Sequence, residues 1–386
     1  MLSSRISFKN FKSKKVKFSL IRKKLINLIN EKNEILKSLS KDYKNNFNHK
    51  NLKKFKKSLD CRVIGMGGSS LGAKAIYDFL RHKIKKRFFF VDNLKINKIE
   101  KKKKNHNNLI ISKSGNTIET IVNVNLLIKK QDQNILITEN KKNYLNLLAE
   151  KLKADIIHHN DYIGGRYSVL SEVGMLPAEL MGLNINNFKQ LNFLIKNKSF
   201  FNNLISNVSS TLHFIQNKKF NSIILNYDEK SDSLFKWYQQ LIAESLGKKK
   251  SGILPVISNM PKDNHSVMQL YLDGFKKNFF TFFYVKKNSI KKIDNKNLLN
   301  SHHYLKNKKM SDILYAQFRA TQNVFLKKEI PFRSFIIKKR DEKTLGELFA
   351  FFILETILLG KALNVDPYSQ PAVDLIKNET FKILKN

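Results

Sequence analysis

The residues best suited to chemistry lie in two loops rich in hydroxyls and glycine. In Ile111-Ser-Lys-Ser-Gly-Asn-Thr-Ile-Glu-Thr120, Ser112, Ser114, Thr117 and Thr120 surround one ammonium, Lys113, and one glycine, Gly115. The apolar run at 109–111 reads as a buried strand, and 121–128 reads as a helix. A strand–loop–helix turn of this kind gathers backbone N–H groups, a helix N-terminus and hydroxyls into one concavity, which suits a phosphate dianion. Taken alone, the stretch is equally a polar connection with Thr117 as N-cap and Thr120 at N3. The second loop is Gly65-Met-Gly-Gly-Ser-Ser-Leu-Gly72, whose glycines allow close backbone approach to an anion. A dinucleotide fingerprint competes here, because Asp92 ends the next strand where a ribose-binding acid would stand. Ser70, however, occupies the position of the third glycine of that fingerprint. Two hydroxyl-bearing loops, after the first and third strands of one sheet, favour a compact phosphate ester.

Other chemically able residues are ambiguous one by one. Gly164-Gly-Arg-Tyr-Ser168 holds Arg166 on an irregular loop. A guanidinium there can bond carbonyls or, beside a phosphate site, stabilise developing oxyanion charge. Glu244 lies near the end of the helix expected at 233–246, a position that usually means solvated surface. His265 opens a short helix, as a capping residue would, and Lys377 lies within the final helix. Metal ligation is weakly supported. His158 and His159 are adjacent on a strand end and must point to opposite faces. Neither that pair nor His302 and His303 has an evident carboxylate or cysteine cluster.

These residues need a scaffold, and the chain supplies an alternation of strands and helices. Short apolar runs at 62–66, 87–91, 109–112, 135–138 and 155–158 are separated by helical stretches such as 73–81 and 143–152. Such alternation predicts a parallel doubly wound sheet, whose ligands bind at the C-terminal strand ends. A second α/β unit has expected strands at 222–225, 253–257, 279–285 and 333–337. It ends in the helix 345–363, a turn, and a helix at 372–384. Before the first unit, Phe18, Ile21, Leu25, Leu28, Ile29, Ile35 and Leu39 form one apolar helical face, a packing segment without obvious chemistry. The expected organisation is therefore an N-terminal helical segment at 1–54, a first α/β domain at 55–185 and an Asn- and Lys-rich linker at 186–208. A second α/β domain at 209–365 and a C-terminal turn and helix at 366–386 complete it. The stretch 286–309 reads as a solvated lysine-rich insertion.

Composition bounds the partners. Lys+Arg number 72 against 31 Asp+Glu, a formal net charge of +41 over 386 residues. Such an excess raises nucleic acid or an anionic surface as a partner. The lysines are nevertheless spread along the whole chain among many Asn, Ile and Phe, so compositional bias is favoured over a dedicated nucleic-acid surface. The single cysteine, Cys61, excludes an intramolecular disulfide, suits a reducing cytoplasm and is expected to pack in the interior. No run reaches the ~20 apolar residues of a membrane span. The candidate at 348–359 is short and carries Glu355. The basic N-terminus lacks the apolar core of a secretory signal.

Taken together, the segments resemble the phosphoglucose isomerase family. The matching runs are the two loops above, with Gly164-Gly-Arg-Tyr-Ser168, Glu244-Ser-Leu-Gly-Lys248, His265-Ser-Val-Met-Gln-Leu270 and Gln370-Pro-Ala-Val-Asp-Leu-Ile-Lys377, in the family's order. The resemblance implies two sugar-isomerase (SIS) domains of flavodoxin-like topology with flanking helices. It also implies a cytoplasmic homodimer with sites at the subunit interface, acting on a sugar 6-phosphate without metal or cofactor. It further gives roles to residues. Glu244 would be the base and Arg166 the stabiliser of the enediolate. His265, reaching from the partner subunit and oriented by Glu119, would open the sugar ring with Lys377. Gly68, Ser69, Ser112, Lys113, Ser114, Thr117, Thr120 and Gly165 would hold the substrate, and Gln370 would help close the site. This sequence departs from the family pattern at Asn116, where a threonine is usual, and at Leu246, Ser369, Ala372 and Asp374. The resemblance also leaves room for a dual phosphoglucose/phosphomannose enzyme or an amino-sugar phosphate isomerase. A sugar-phosphate-sensing regulator that binds nucleic acid is a further reading, disfavoured because a sensor needs only the phosphate loop.

Overall fold

The computed structural model describes residues 1–47, 52, 55, 60–94, 106–129, 131–287, 291–294 and 296–385. The expected boundary at 54/55 and residues 288–290 and 295 of the lysine-rich stretch fall partly or wholly outside them. The first strand, β1 (Ile6–Lys9), lies near the N-terminus, far in sequence from the other strands. Next come β2 (Asp60–Ile64), β3 (Arg87–Val91), β4 (Asn107–Ile111), β5 (Gln133–Thr138) and β6 (Asp155–His158). They form one sheet in the order β3-β2-β4-β5-β6, and every pairing in it is parallel. The chain starts in the second position, moves one way and then reverses, so a switch point lies between the C-terminal ends of β2 and β4. The second sheet contains β7 (Asn221–Asn226), β8 (Leu254–Asn259), β9 (Asn278–Val285) and β10 (Phe332–Ile337), in the order β1-β10-β9-β7-β8. Two flavodoxin-like sheets are thus present, as expected, parallel but for the β1 edge, and all nine strands anticipated from apolar runs lie within a few residues of their expected places. Every side chain of β9 is buried, because helices cover both faces of a parallel sheet.

Three features differ from the sequence expectations. The N-terminal segment is not helical throughout: β1 pairs antiparallel with β10, Ile6 facing Ile337 and Lys9 facing Ser334. Phe8 packs on Phe335 and Phe351, with ring centroids 4.7 and 5.5 Å away. A four-residue strand over an open edge satisfies backbone groups that would otherwise invite intermolecular pairing. Helices Phe18–Asn30 and Glu34–Ser38 follow, the second capped by Asn33, whose side chain accepts from the Ile35 and Leu36 N–H groups. The stretch 186–208 is not an extended connection, since helix Lys198–Gln216 begins within it and runs past its end. Ser206, Asn207, Ser209, Ser210 and Thr211 of that helix are buried, so Ser206 and Asn207, which read as linker, in fact lie inside. Asn207 accepts from Arg333 (2.8 Å) and donates to Glu355 (2.5 Å), members of a buried ion pair. The third difference is helix Met310–Lys327, which follows the lysine-rich stretch and covers the aromatic face of Phe280, Phe282 and Phe332 with Phe318 and Phe325.

The centre of the molecule is helix Glu342–Leu363, buried along nearly its whole length. A helix apolar all round belongs in a core or a membrane. Here Glu355 is neutralised by Arg333, and among the described residues no helix is long and apolar enough to cross a membrane. The two α/β units meet where helix Gly68–Phe79 lies against helix Asp232–Leu246. Ser233 donates to Asp78, and Arg340 donates to the Phe79 carbonyl (3.2 Å) with its guanidinium over the Phe79 ring. Cys61 is buried, and burial pushes its thiol up to about 11, as suits a packing residue.

Candidate active site

The loop after β2 turns into helix Gly68–Phe79 against the segment that carries Arg166. A Cβ on Gly68 would sit 2.2 Å from the Gly165 carbonyl carbon and 2.6 Å from the Arg166 nitrogen. Only glycine permits that contact, which brings the start of one helix onto the 3₁₀ turn Gly165–Leu170. Arg166 is therefore not on a loose loop but buried at 2% exposure. Its backbone carbonyl accepts from the Trp237 indole (3.1 Å), which fixes the turn from beneath.

The Arg166 guanidinium organises the centre. Nε donates to Ser245 Oγ (2.8 Å), and one terminal nitrogen donates to the Pro367 (2.8 Å) and Ser369 (3.1 Å) carbonyls. The other donates to Gln370 Oε1 (2.7 Å) and Glu244 Oε2 (3.2 Å). Glu244 Oε1 accepts from Gln240 Nε2 (2.9 Å), one helical turn earlier, so both carboxylate oxygens are engaged while the side chain stays 30% exposed. Tyr167 donates to the Pro367 carbonyl (2.9 Å) and meets Ser245 Oγ at 2.8 Å. Burial, with Arg166 beside it, pushes the Lys248 ammonium below its usual range; it donates to the Ser245 and Asp366 carbonyls. A cavity of about 680 Å³ opens beside this cluster, lined by Glu244, Gly247, Lys248, Gln370, Pro371 and Val373.

The hydroxyl loop lies across the switch point. Ser112 Oγ and Thr117 Oγ1 are 2.9 Å apart, so Thr117 stands at the N-cap of helix Ile118–Leu127 without capping it through its side chain. Thr120 is 1% exposed, and its Oγ1 has no protein partner. A buried hydroxyl without a partner costs about 1–3 kcal/mol. The Ser112–Thr117 hydroxyl pair of the same loop and the first-turn N–H groups of helix Ile118–Leu127 are of the kind that suit an anion. Ser69 is half-buried at the start of its helix, and Ser114 is exposed, its Oγ accepting from the Asn116 N–H (3.3 Å). Lys113 turns to Asp161 and Glu139.

One chain thus brings together Arg166, Glu244, Gln370, Gly68 and Gly165, and lays the Ser112–Thr120 loop at the switch point. It does not bring His265 and Lys377 to them. His265 ends the 3₁₀ turn Lys262–His265 and is exposed, and among the described contacts it shares none with the half-buried Glu119. Lys377 is exposed on helix Pro371–Lys385, none of whose residues is buried, and pairs with Asp374 at 2.9 Å. His158 and His159 point to opposite sides, exposed and buried. His159 donates from Nδ1 to the Asn160 carbonyl (2.7 Å), and burial pushes its imidazole down to about 4.

The model of the family described as phosphoglucose isomerase matches residues 20–386. The chain belongs to the phosphoglucose isomerase family. It is 32% identical over 341 residues to a glucose-6-phosphate isomerase of Methanocaldococcus jannaschii, covering 84% of each chain. It is 33% identical over 359 residues to one of Mycoplasmopsis pulmonis, covering 84% of this chain and 82% of that one. Among solved structures, a Thermus thermophilus protein described as hypothetical shares the fold with a TM-score of 0.81 at 22% identity, over 96% and 95% of the two chains. A glucose-6-phosphate isomerase of Chlamydia trachomatis shares it at 0.65 and 18%, over 99% and 80%. Within the phosphoglucose isomerase family framework, sequence reasoning missed Gln240, Ser245, Tyr167 and Trp237. Gln240 is the one with a sequence signal, because residues four apart on a helix share a face and it lies four before Glu244. The other three gain meaning only from the position of Arg166.

Proposed function

We infer that this chain interconverts glucose 6-phosphate and fructose 6-phosphate. The observation that carries the reading is the Arg166–Glu244 pair, an ion pair at 3.2 Å whose Arg166 turn is packed against Gly68 of the glycine loop. Aldose and ketose differ by one proton between C2 and C1, with matching transfers on oxygen. The Glu244 carboxylate takes the C2 proton as the C2–H electrons form the C1=C2 bond and the C1 oxygen gains a proton. The resulting cis-enediol loses its O2 proton, and the same carboxylate returns the carbon proton to C1. One base on one face therefore serves both carbon steps. Charge that accumulates on the enediol oxygens is met by Arg166, which five hydrogen bonds hold in place before substrate arrives. Ser69 and the Ser112–Thr120 loop hold the phosphate at the start of two helices, with Gly68 and Gly165 forming the adjoining wall.

Substrate arrives mostly as a closed ring, whose opening needs an acid–base pair. In this reading His265 of a second copy, oriented by Glu119, acts with Lys377, and Gln370 helps close the site. The enzyme is then a homodimer in the cytoplasm. Support comes from the exposure of His265 and of Lys377, on a helix none of whose residues is buried in one chain, since catalytic groups left in solvent do little. The test is isomerisation of fructose 6-phosphate in D2O, with coupled detection of glucose 6-phosphate. The expected result is turnover with deuterium entering at C2. Turnover of mannose 6-phosphate or glucosamine 6-phosphate without the glucose ester would reject the assignment.

A further inference from the structure

The ammonium of Lys113 is turned away from the hydroxyls of its own loop. Nζ donates to the Asp161 carbonyl (2.7 Å) and lies 3.3 Å from Glu139 Oε1. Lys141 lies 3.4 Å from the other oxygen of Glu139 and 3.6 Å from Asp161 Oδ2, so the carboxylate is held from two sides. The main chain repeats the connection. The Lys113 carbonyl accepts from the Glu139 N–H (3.1 Å) and from Thr138 Oγ1 (3.2 Å), which in turn accepts from Asn143 Nδ2 (3.1 Å). The Ser112 N–H donates to the Ile137 carbonyl (3.1 Å), and the Leu145 N–H donates to the Gly115 carbonyl (3.3 Å). Gly115 has φ +69°, and a Cβ there would lie 2.1 Å from Asn143 Oδ1. Asn116 Oδ1 accepts from the Tyr144 N–H (3.0 Å), which gives a physical reason for asparagine at this position. Ser112, Lys113, Gly115 and Asn116 are thus each fastened to residues 137–145, while Ser112, Thr117 and Thr120 keep hydroxyls for a ligand.

We propose that Lys113 acts as a strut and not as a phosphate ligand, and that Glu139, by holding its ammonium, is a positioning residue for the phosphate loop. This rests on the reading of the loop as the phosphate site. An ammonium that met the phosphate would have to leave both a carboxylate and a carbonyl. One that stays with Glu139 keeps the loop hydroxyls and helix N–H groups at fixed spacing, so the phosphate meets an ordered cradle. The strut and the ligand readings give opposite signs for one substitution. Glu139→Gln removes a negative charge near an anion site and frees the ammonium. If Lys113 binds phosphate, affinity should hold or rise; if it is a strut, affinity should fall despite the gain in positive charge.

The experiment measures KM and kcat for fructose 6-phosphate, and competitive inhibition by inorganic phosphate, for the parent, Lys113→Met, Glu139→Gln and the double variant. Each single change should raise KM and the phosphate inhibition constant about three- to tenfold, with kcat within about twofold, as lost pre-organisation of a binding loop requires. The double variant should be no worse than either single one, the mark of two residues acting as one unit. Glu139→Asp, which keeps the charge but withdraws the carboxylate by one methylene, should also raise KM and serves if the glutamine variant does not fold. Parental or tighter binding in the Glu139 variants, with weakening confined to Lys113→Met, overturns the strut. If inorganic phosphate does not compete in the parent, the phosphate-site reading itself fails and the strut falls with it.

Discussion

Glu244 is oriented before substrate arrives, with Arg166 on one oxygen and Gln240 on the other. In the proposed mechanism Glu244→Gln keeps that shape but abolishes the proton acceptor, so kcat should fall at least about a hundredfold while sugar-phosphate binding changes far less. Near-normal turnover in that variant would remove Glu244 from the reaction. Gln240→Leu keeps the proposed base, Glu244, but loses one hydrogen bond to it. A bond to a charged group contributes about 1.5–3 kcal/mol, so kcat should drop roughly tenfold or more at nearly constant KM. His159, which follows β6 near Lys113 and Glu139, provides a pH signature. Its imidazole is held neutral by burial, down to about 4, whereas an unfolded histidine titrates at the ordinary value of 6.5. The unfolded chain binds more protons between those values, so this contribution is complete above pH 6.5 and is lost as pH falls towards 4. At pH 5 the loss is about 2 kcal/mol. Urea unfolding at pH 5 and 7.5 should show His159→Gln losing less stability than the parent over that interval. Equal losses would mean that His159 does not titrate as its burial requires.

Elements were legible where burial leaves an apolar signature. Parallel strands covered on both faces read as short apolar runs, which is why both sheets could be drawn from sequence. β1 has only four residues, with alternate burial and one side at an edge, too little for any periodic pattern to register. Helix Lys198–Gln216 was hidden for the opposite reason: its buried face carries Ser, Asn and Thr, satisfied by partners such as Arg333 and Val16 that sequence order does not reveal. The candidate site divides in the same way. The hydroxyl loop was recognisable from its local composition, and Arg166 and Glu244 only through the order of the family's motifs, whereas the fastening of that loop to residues 137–145 is a tertiary property. The junction of elements at Gly68 can be tested directly. With Gly165 backbone only 2.2 Å from where an added methyl group would sit, relaxation cannot come from a flexible side chain, so the helix or the Arg166 turn must shift. Gly68→Ala should cost about 1–3 kcal/mol of stability and raise KM by shifting the Arg166 turn. Unchanged unfolding midpoint and KM would show that the contact is not tight.

At the scale of the whole molecule, the question is what completes the site. Helix Pro371–Lys385 exposes Leu375, Ile376, Ile383 and Leu384, each more than two-thirds accessible, and carries Lys377 between them. A two-fold dimer would supply each site reciprocally, one chain giving Glu244 and its partner giving His265. The net charge of +41 works against pairing through self-repulsion, most strongly at low ionic strength. Activity should therefore rise with modest salt before screening of the anionic substrate reverses the gain. Complementation tests the shared site more sharply. Glu244→Gln and His265→Ala chains are each inactive in this reading, and mixing and re-pairing them creates dimers with one doubly defective site and one intact site. With equal amounts and random pairing, half the dimers are mixed, so recovery should approach about a quarter of parental activity. Light scattering and mass-resolved exchange establish that re-pairing has occurred. Re-paired dimers without recovered turnover, or a fully active monomer, would place His265 outside the partner's site and leave ring opening to groups of a single chain.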